Sequence, residues 1–192
     1  MLEQQRYLIK RMSRSQGQGR AFEILDPDTE RCAGFARENP SAIVRRLRQF
    51  LSLRFLPTRI EAREIEDESL VFIVNRSAGL VSQEIEVADA DEQLIGYLRL
   101  SAWATNGNVR IHDSNCSLFA ELQGNWETMN IVMLGPDGAK LGSVTKASPN
   151  ESLSARTPGS FLLVAIDECL TDQPFAKMLL LGSTLGLAFV YR

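Results

Sequence analysis

Few residues in this 192-residue chain could start covalent chemistry. Its one histidine, His112, is followed by Asp113 and Ser114, the residue types of a nucleophilic triad. Neighbours on an extended strand point to opposite faces, so three consecutive residues cannot converge on one reacting atom. His112 is expected at a turn instead. The carboxylate pairs Asp26/Asp28 and Asp89/Asp91 fall where strands reverse, and there aspartate oxygens accept from backbone amides. Gly135-Pro136-Asp137-Gly138 is turn chemistry too, because no Gly-Lys-Ser or Gly-Lys-Thr follows to hold a phosphate. The three cysteines, Cys32, Cys116 and Cys169, lack the close pairing of a zinc site, and Cys169 has no basic neighbour to lower its pKa. The expectation is a protein with no catalytic residue, no metal site and no cofactor.

Physical binding has a better candidate. Arg45, Arg46, Arg48, Arg54 and Arg59 lie between Pro40 and Arg59 with no acidic residue among them, interleaved with Phe50, Leu51, Phe55 and Leu56. Asn39-Pro40-Ser41 caps the segment, and Ile43, Val44, Leu47, Phe50 and Leu51 recur at helical spacing, which predicts an amphipathic basic helix over about 40–53. Such a helix suits the surface of an anionic bilayer. At about 1 kcal/mol per basic residue, five arginines supply about 5 kcal/mol, enough for weak, reversible, salt-sensitive attachment. The structural alternative is that the apolar arc packs on the protein and the arginines only face solvent. Charge is distributed to match: residues 1–60 hold 12 Lys or Arg against 6 Asp or Glu, and residues 61–192 hold 9 against 18. A net charge of −3 argues against a nucleic-acid partner.

The elements that would position this surface are mostly strands. Alternating runs enter an acidic or glycine turn and leave through a small residue four times: Asp26 to Gly34, Asp89 to Gly96, Asp113 to Ala120 and Gly135 to Gly142. The separations are 8, 7, 7 and 7 residues, the signature of repeated two-stranded ribbons. Further extended runs at Tyr7–Lys10, Arg59–Ile65, Leu70–Asn75 and Phe161–Ile166 bring the total to about a dozen strands. No alternation of strand and helix appears, so a parallel sheet is disfavoured. With 44% hydrophobic residues the chain suits a single domain over 1–192. Met1–Lys10 is polar, with no secretory leader, so a cytoplasmic location is expected.

The C-terminus decides the architecture. Met178–Tyr191 is fourteen residues without a charge, short of a membrane span, and predicts a helix over about 174–191. A helix apolar on every side must be surrounded. Its ten large side chains at about 1.5 to 3 kcal/mol each exceed the usual net stability of a domain, about 5 to 15 kcal/mol, so it cannot stand in water. The fold class that follows is mainly β: a closed antiparallel barrel of about twelve strands around a central hydrophobic C-terminal helix. Gly182, Ser183 and Gly186 would thin the helix where the wall comes close. The Gly182/Gly186 spacing also leaves open a tail inserted in a bilayer.

Three segments carry a resemblance. Gln83-Glu84-Ile85-Glu86-Val87 followed by Ile95-Gly96-Tyr97 and Trp103, then Leu141-Gly142-Ser143-Val144-Thr145-Lys146, then Leu181-Gly182-Ser183 through Phe189-Val190-Tyr191 fall in the order found in the phospholipid scramblases. The chain resembles that family, part of the wider tubby-like barrel group, most strongly from residue 80 onward. The resemblance implies a non-enzymatic, membrane-associated barrel connected with phospholipid scrambling. Two departures bear on function. Asn75–Ser82 has no cysteine where animal members are lipidated. The region matching the family's calcium segment, Arg156–Ser160, has no acid, and Asp167, Glu168 and Asp172 are too few for the six to eight oxygens calcium takes.

The functional expectation is a lipid-binding barrel that meets an anionic phospholipid surface peripherally, through Arg45, Arg46, Arg48, Arg54 and Arg59. A compact barrel with its apolar helix buried offers no polar track for moving headgroups, so binding is favoured over transport. The alternative is a soluble protein-interaction or small apolar ligand-binding barrel scaffold, which exposed aromatic residues around Trp103 or Trp126 would favour.

Overall fold

The structure, a computed structural model, describes residues 1–12, 20–47, 50, 56–79, 82–101, 106–125, 127–147 and 161–191. Twelve strands follow in chain order: β1 Arg6–Arg11, β2 Ala21–Leu25, β3 Cys32–Glu38, β4 Thr58–Glu64, β5 Leu70–Arg76, β6 Ser82–Asp89, β7 Leu94–Ser101, β8 Asn106–Asp113, β9 Leu118–Asn125, β10 Asn130–Leu134, β11 Lys140–Ala147 and β12 Phe161–Ile166. Helix α1, Ala42–Leu47, lies between β3 and β4, and helix α2, Pro174–Tyr191, follows β12. Each strand pairs antiparallel with the next, and β1 pairs with β12 (Leu8 opposite Leu163), closing a barrel without edges. The predicted barrel and core helix are thus observed.

Strand alternation turns one residue in two toward the axis. Tyr7 and Ile9, Phe22 and Ile24, Ile60 and Ala62, Ile85 and Val87, and Val164 and Ile166 are among the buried inward positions, and all twelve strands contribute to one core with α2. Every residue of α2 from Leu179 to Phe189 is buried. Gly182 faces Val74 and Val87, and Gly186 faces Ile85, with a Cβ at either position 2.7–2.9 Å from the valine or isoleucine methyls. The expectation that glycines thin the helix against the wall therefore holds, on the β5–β6 side. Phe175, one of the ten large side chains of the predicted helix, is 58% exposed, because it lies on the first turn of α2, ahead of the continuously buried stretch Leu179–Phe189. Strand β12 reads as one apolar run because both its faces are covered: Phe161 joins Leu8 and Ala147 in a second small cluster.

The repeated hairpins share one device. In five of them the second strand carries an extra residue, Ala33, Val71, Ile95, Phe119 or Leu141, where the register shifts. Each is a β-bulge next to the turn, and Val71, Ile95, Phe119 and Leu141 pack over the core at that end of the barrel. The bulge explains the small exit residue. A Cβ on Gly96 would meet the His112 carbonyl and lie 2.9 Å from both Leu179 methyls, and Gly34 and Gly142 meet carbonyls of β4 and β12 in the same way. The fifth hairpin, β4–β5, escapes sequence reading because its first inward residue after the bulge is Phe72, not a small one.

Two substitutions check these points. Gly96→Ala is expected to lower unfolding free energy by about 1–3 kcal/mol in urea titration, because backbone on β8 cannot give way. Glu68, in the left-handed region at φ 56°, has no need of its Cβ, so Glu68→Gly is expected to raise stability by about 0.5–1 kcal/mol.

Candidate functional site

Alternating strand direction sorts the connections onto two ends. One end holds the β2–β3, β4–β5, β6–β7, β8–β9 and β10–β11 turns, the 3-10 turn Glu168–Leu170 and the start of α2; the other holds α1, the β9–β10 reversal and the end of α2.

The α1 end carries the predicted basic segment. Ser41 caps the helix, its Oγ accepting from Val44 N at 3.3 Å and its carbonyl from Arg45 N at 3.0 Å. Regular helix is described over Ala42–Leu47; of the rest of the predicted 40–53, Pro40 and Ser41 precede the helix, Phe50 stands in a turn with its amide donating to Leu47 O, and 48–49 and 51–53 lie outside the described residues. Only Val44 of this helix is buried. Ile43, Leu47 and Phe50 are 71%, 38% and 83% exposed, so most of the apolar arc is not laid on the barrel. Arg45 and Arg46 are exposed beside it. Below the helix, buried Arg76 fixes the chain by donating from Nη2 to Leu56 O at 2.8 Å and Thr58 Oγ1 at 2.9 Å. Arg20 Nη1 donates to Phe189 O at 2.5 Å, placing a cation on the carboxyl end of α2.

Arg59 joins this segment through its backbone, its carbonyl accepting from Asn39 N at 2.9 Å, but its side chain is engaged elsewhere. It lies on β4, paired with Glu92 Oε1 at 2.6 Å and Glu61 Oε1 at 3.5 Å, and the hydrogen bond to Glu92 pushes its pKa up. Two carboxylates thus occupy the guanidinium that the sequence assigns to lipid. Arg48 and Arg54 lie outside the described residues, as do Leu51, Phe55, Trp103 and Trp126.

The opposite end is acidic. Asp89 Oδ1 accepts from the amides of Asp91 and Gln93 at 3.0 and 2.8 Å, and Asp113 Oδ1 from Asn115 and Ser117 at 2.9 and 2.8 Å. Asp26, Asp67, Asp137 and Asp167 do the same in their own turns. The expected turn role is observed for the first member of each pair, Asp26 and Asp89, while Asp28 instead accepts from Arg6 Nη1 at 3.2 Å. His112 is the penultimate residue of β8 rather than a turn residue, with its ring stacked on Tyr97 at 5.4 Å and Nδ1 3.3 Å from Cys116 O. The contact that sequence reading missed is Lys177. This lysine on α2 is buried, its Nζ donating to Leu2 O at 2.9 Å and Gln4 O at 3.3 Å.

Two concavities complete the surface described. On the outer wall of β7–β9, a hollow of about 570 Å³ is lined by Tyr97, Arg99, Arg110, His112, Cys116 and Glu121. Its arginines are paired, Arg99 with Glu84 at 2.5 Å and Arg110 with Glu121 at 2.9 Å, so it is electrically balanced. Where α2 enters the barrel, a second hollow of about 380 Å³ has Ile95, Phe119, Pro174 and Phe175 around Ala176 and Leu179, with Asp113 and Asp172 also lining it. Among the described residues no three His, Cys, Asp or Glu side chains are grouped to hold a metal ion, and no helix is long and apolar enough to cross a membrane.

No family model matches this sequence, and no curated protein matches it. The chain is similar to a solved X-ray structure of a protein from Arabidopsis thaliana, at 9% identity and a TM-score of 0.50, covering 95% of this chain and 91% of the other. Likeness at that identity concerns the fold. The class defined here is therefore architectural: a closed antiparallel barrel with a helix through it, basic and apolar at one end and acidic at the other.

The turn carboxylates give a pH expectation. The Thr29 hydroxyl holds Asp26 below the ordinary range, as do the Ser69 amide for Asp67 and the Cys169 amide for Asp167. Depressed folded values mean stability that is whole above the unfolded value near 3.9 and lost as pH falls through the folded ones. Thermal melts should therefore be flat with respect to these groups from about pH 5 to 7 and fall below about pH 4. Replacing Asp26, Asp67 and Asp167 by Asn should flatten that acid limb.

Proposed function

We propose that this protein is a non-enzymatic, scramblase-like barrel that attaches peripherally to anionic phospholipid membranes through its α1 end, on the cytoplasmic side. The observation that carries the reading is the uncovered stripe of Ile43, Leu47 and Phe50 beside Arg45 and Arg46. Exposed apolar side chains next to exposed basic ones are costly in water and useful at an interface, where the carbons enter the acyl boundary and the guanidiniums meet headgroup phosphates. Arg45 and Arg46 carry the attraction in this proposal, and Arg59 drops from the binding set because Glu61 and Glu92 hold it. Lipid binding, not transport, is the activity proposed. Burial of α2 leaves the apolar helix unavailable to a bilayer while the barrel stays folded.

Flotation with phosphatidylserine vesicles tests the reading. Binding at low salt should fall steeply as salt rises. Arg45→Gln/Arg46→Gln should weaken it about 30-fold, the equivalent of about 1 kcal/mol per lost cation, and Phe50→Asp should abolish it. Equal binding by neutral phosphatidylcholine vesicles, or by the double variant, would remove the proposal.

A further inference from the structure

The two ends of the barrel are complementary to one another. At the α1 end Ile43, Leu47 and Phe50 project as an apolar stripe flanked by Arg45 and Arg46. At the α2 entrance Ile95, Phe119, Pro174 and Phe175 form an apolar hollow with Asp113 and Asp172 at its edge, and no Lys or Arg lines it. Phe175 is 58% exposed on the first turn of α2, and the acidic turns at Asp89–Glu92 and Asp167–Glu168 belong to the same end. Lys177 is turned inward to Leu2 O and Gln4 O, and of these acids Glu92 is paired with Arg59 and Asp167 feels Lys140, so Asp113 and Asp172 are the carboxylates that line the hollow itself.

We propose that a second copy of this chain occupies the hollow, with the α1 stripe of one molecule seated in the α2 entrance of the next. The hollow, about 380 Å³, lies at the lower end of the about 300–1,000 Å³ range of pockets that enclose a whole small ligand, so it has room for apolar side chains from the stripe. Arg45 and Arg46 then lie against Asp113 and Asp172. The two faces stand at opposite ends of one rigid barrel and cannot meet within a molecule. Their contact is head to tail, so each added copy presents a fresh pair of faces and the association is open-ended, not a closed symmetric dimer. A patch this small gives a weak contact, sensitive to concentration and to salt. The inference goes beyond lipid attachment and does not require it, but both use the α1 stripe, so a membrane and a second copy exclude one another there.

Sedimentation velocity on the intact protein at low salt, over about a hundredfold range of concentration, should show average mass rising without a plateau and returning to monomer at high salt. Asp172→Lys/Phe175→Lys alters only the hollow, and Ile43→Asp/Phe50→Asp alters only the stripe. Each variant alone should remain monomeric at every concentration. Mixed in equal amounts, they should form a one-to-one heterodimer and stop there, because one intact stripe and one intact hollow remain. A monomeric wild type, a plateau at dimer, a mixture that stays monomeric, or a hollow that takes only an added cationic amphipathic peptide would each overturn the inference. The hollow variant should still float with phosphatidylserine vesicles as the wild type does. Vesicle binding without self-association removes the inference and keeps the lipid reading, and self-association without vesicle binding does the reverse.

Discussion

The buried carboxyl-terminal helix is the constraint from which the rest of this molecule follows. Strands from β1 to β12 turn alternate side chains toward α2, so the helix and the barrel supply each other's core. Neither half has a stable alternative: the helix has no polar face to show water, and the strands would surround a void without it. Gly182 and Gly186 let β5 and β6 come close on one side, and the Phe22–Phe189 edge contact at 4.8 Å helps fill the core near the far end of the helix.

That arrangement also accounts for the polarity of the ends. Five short reversals of this up-and-down barrel fall at the end where the helix enters, and such reversals select aspartate because its oxygen accepts the amides left over in the turn. The acidity of that end is thus a by-product of turn chemistry. The α1 connection falls at the other end, beside the short β9–β10 reversal whose Asn125 Oδ1 accepts from Thr128 N, and there the arginines and the uncovered apolar residues of α1 sit. A single topology therefore produces a polar molecule with a different surface at each pole.

Lys177 shows how the same helix organises the entrance. Its ammonium reaches two backbone carbonyls of the amino-terminal segment, which ties residues Leu2 and Gln4 across the barrel end. A buried lysine without a carboxylate needs such acceptors, since an unmade hydrogen bond in the interior costs more than the made one contributes. Asp113 and Asp172 stay at the rim of the neighbouring hollow, unpaired with this lysine, which keeps that pole acidic.

Much of the architecture is legible in the residues. The strands Phe161–Ile166 and Leu70–Arg76, the helix Pro174–Tyr191 and four of the bulged hairpins follow from periodicity, turn residues and the need to bury an uncharged run, because these are local or whole-segment properties. What the sequence could not determine depends on distance across the fold. Arg59 reads as one more cation in a basic run, and only folding brings Glu92, thirty-three residues away, onto its guanidinium. Phe50 and Val44 share one apolar arc, and the tertiary contacts alone bury the second and leave the first in water. The physical reason is the same in both cases: composition states which groups need partners, and the path of the chain through space decides which of them receive one.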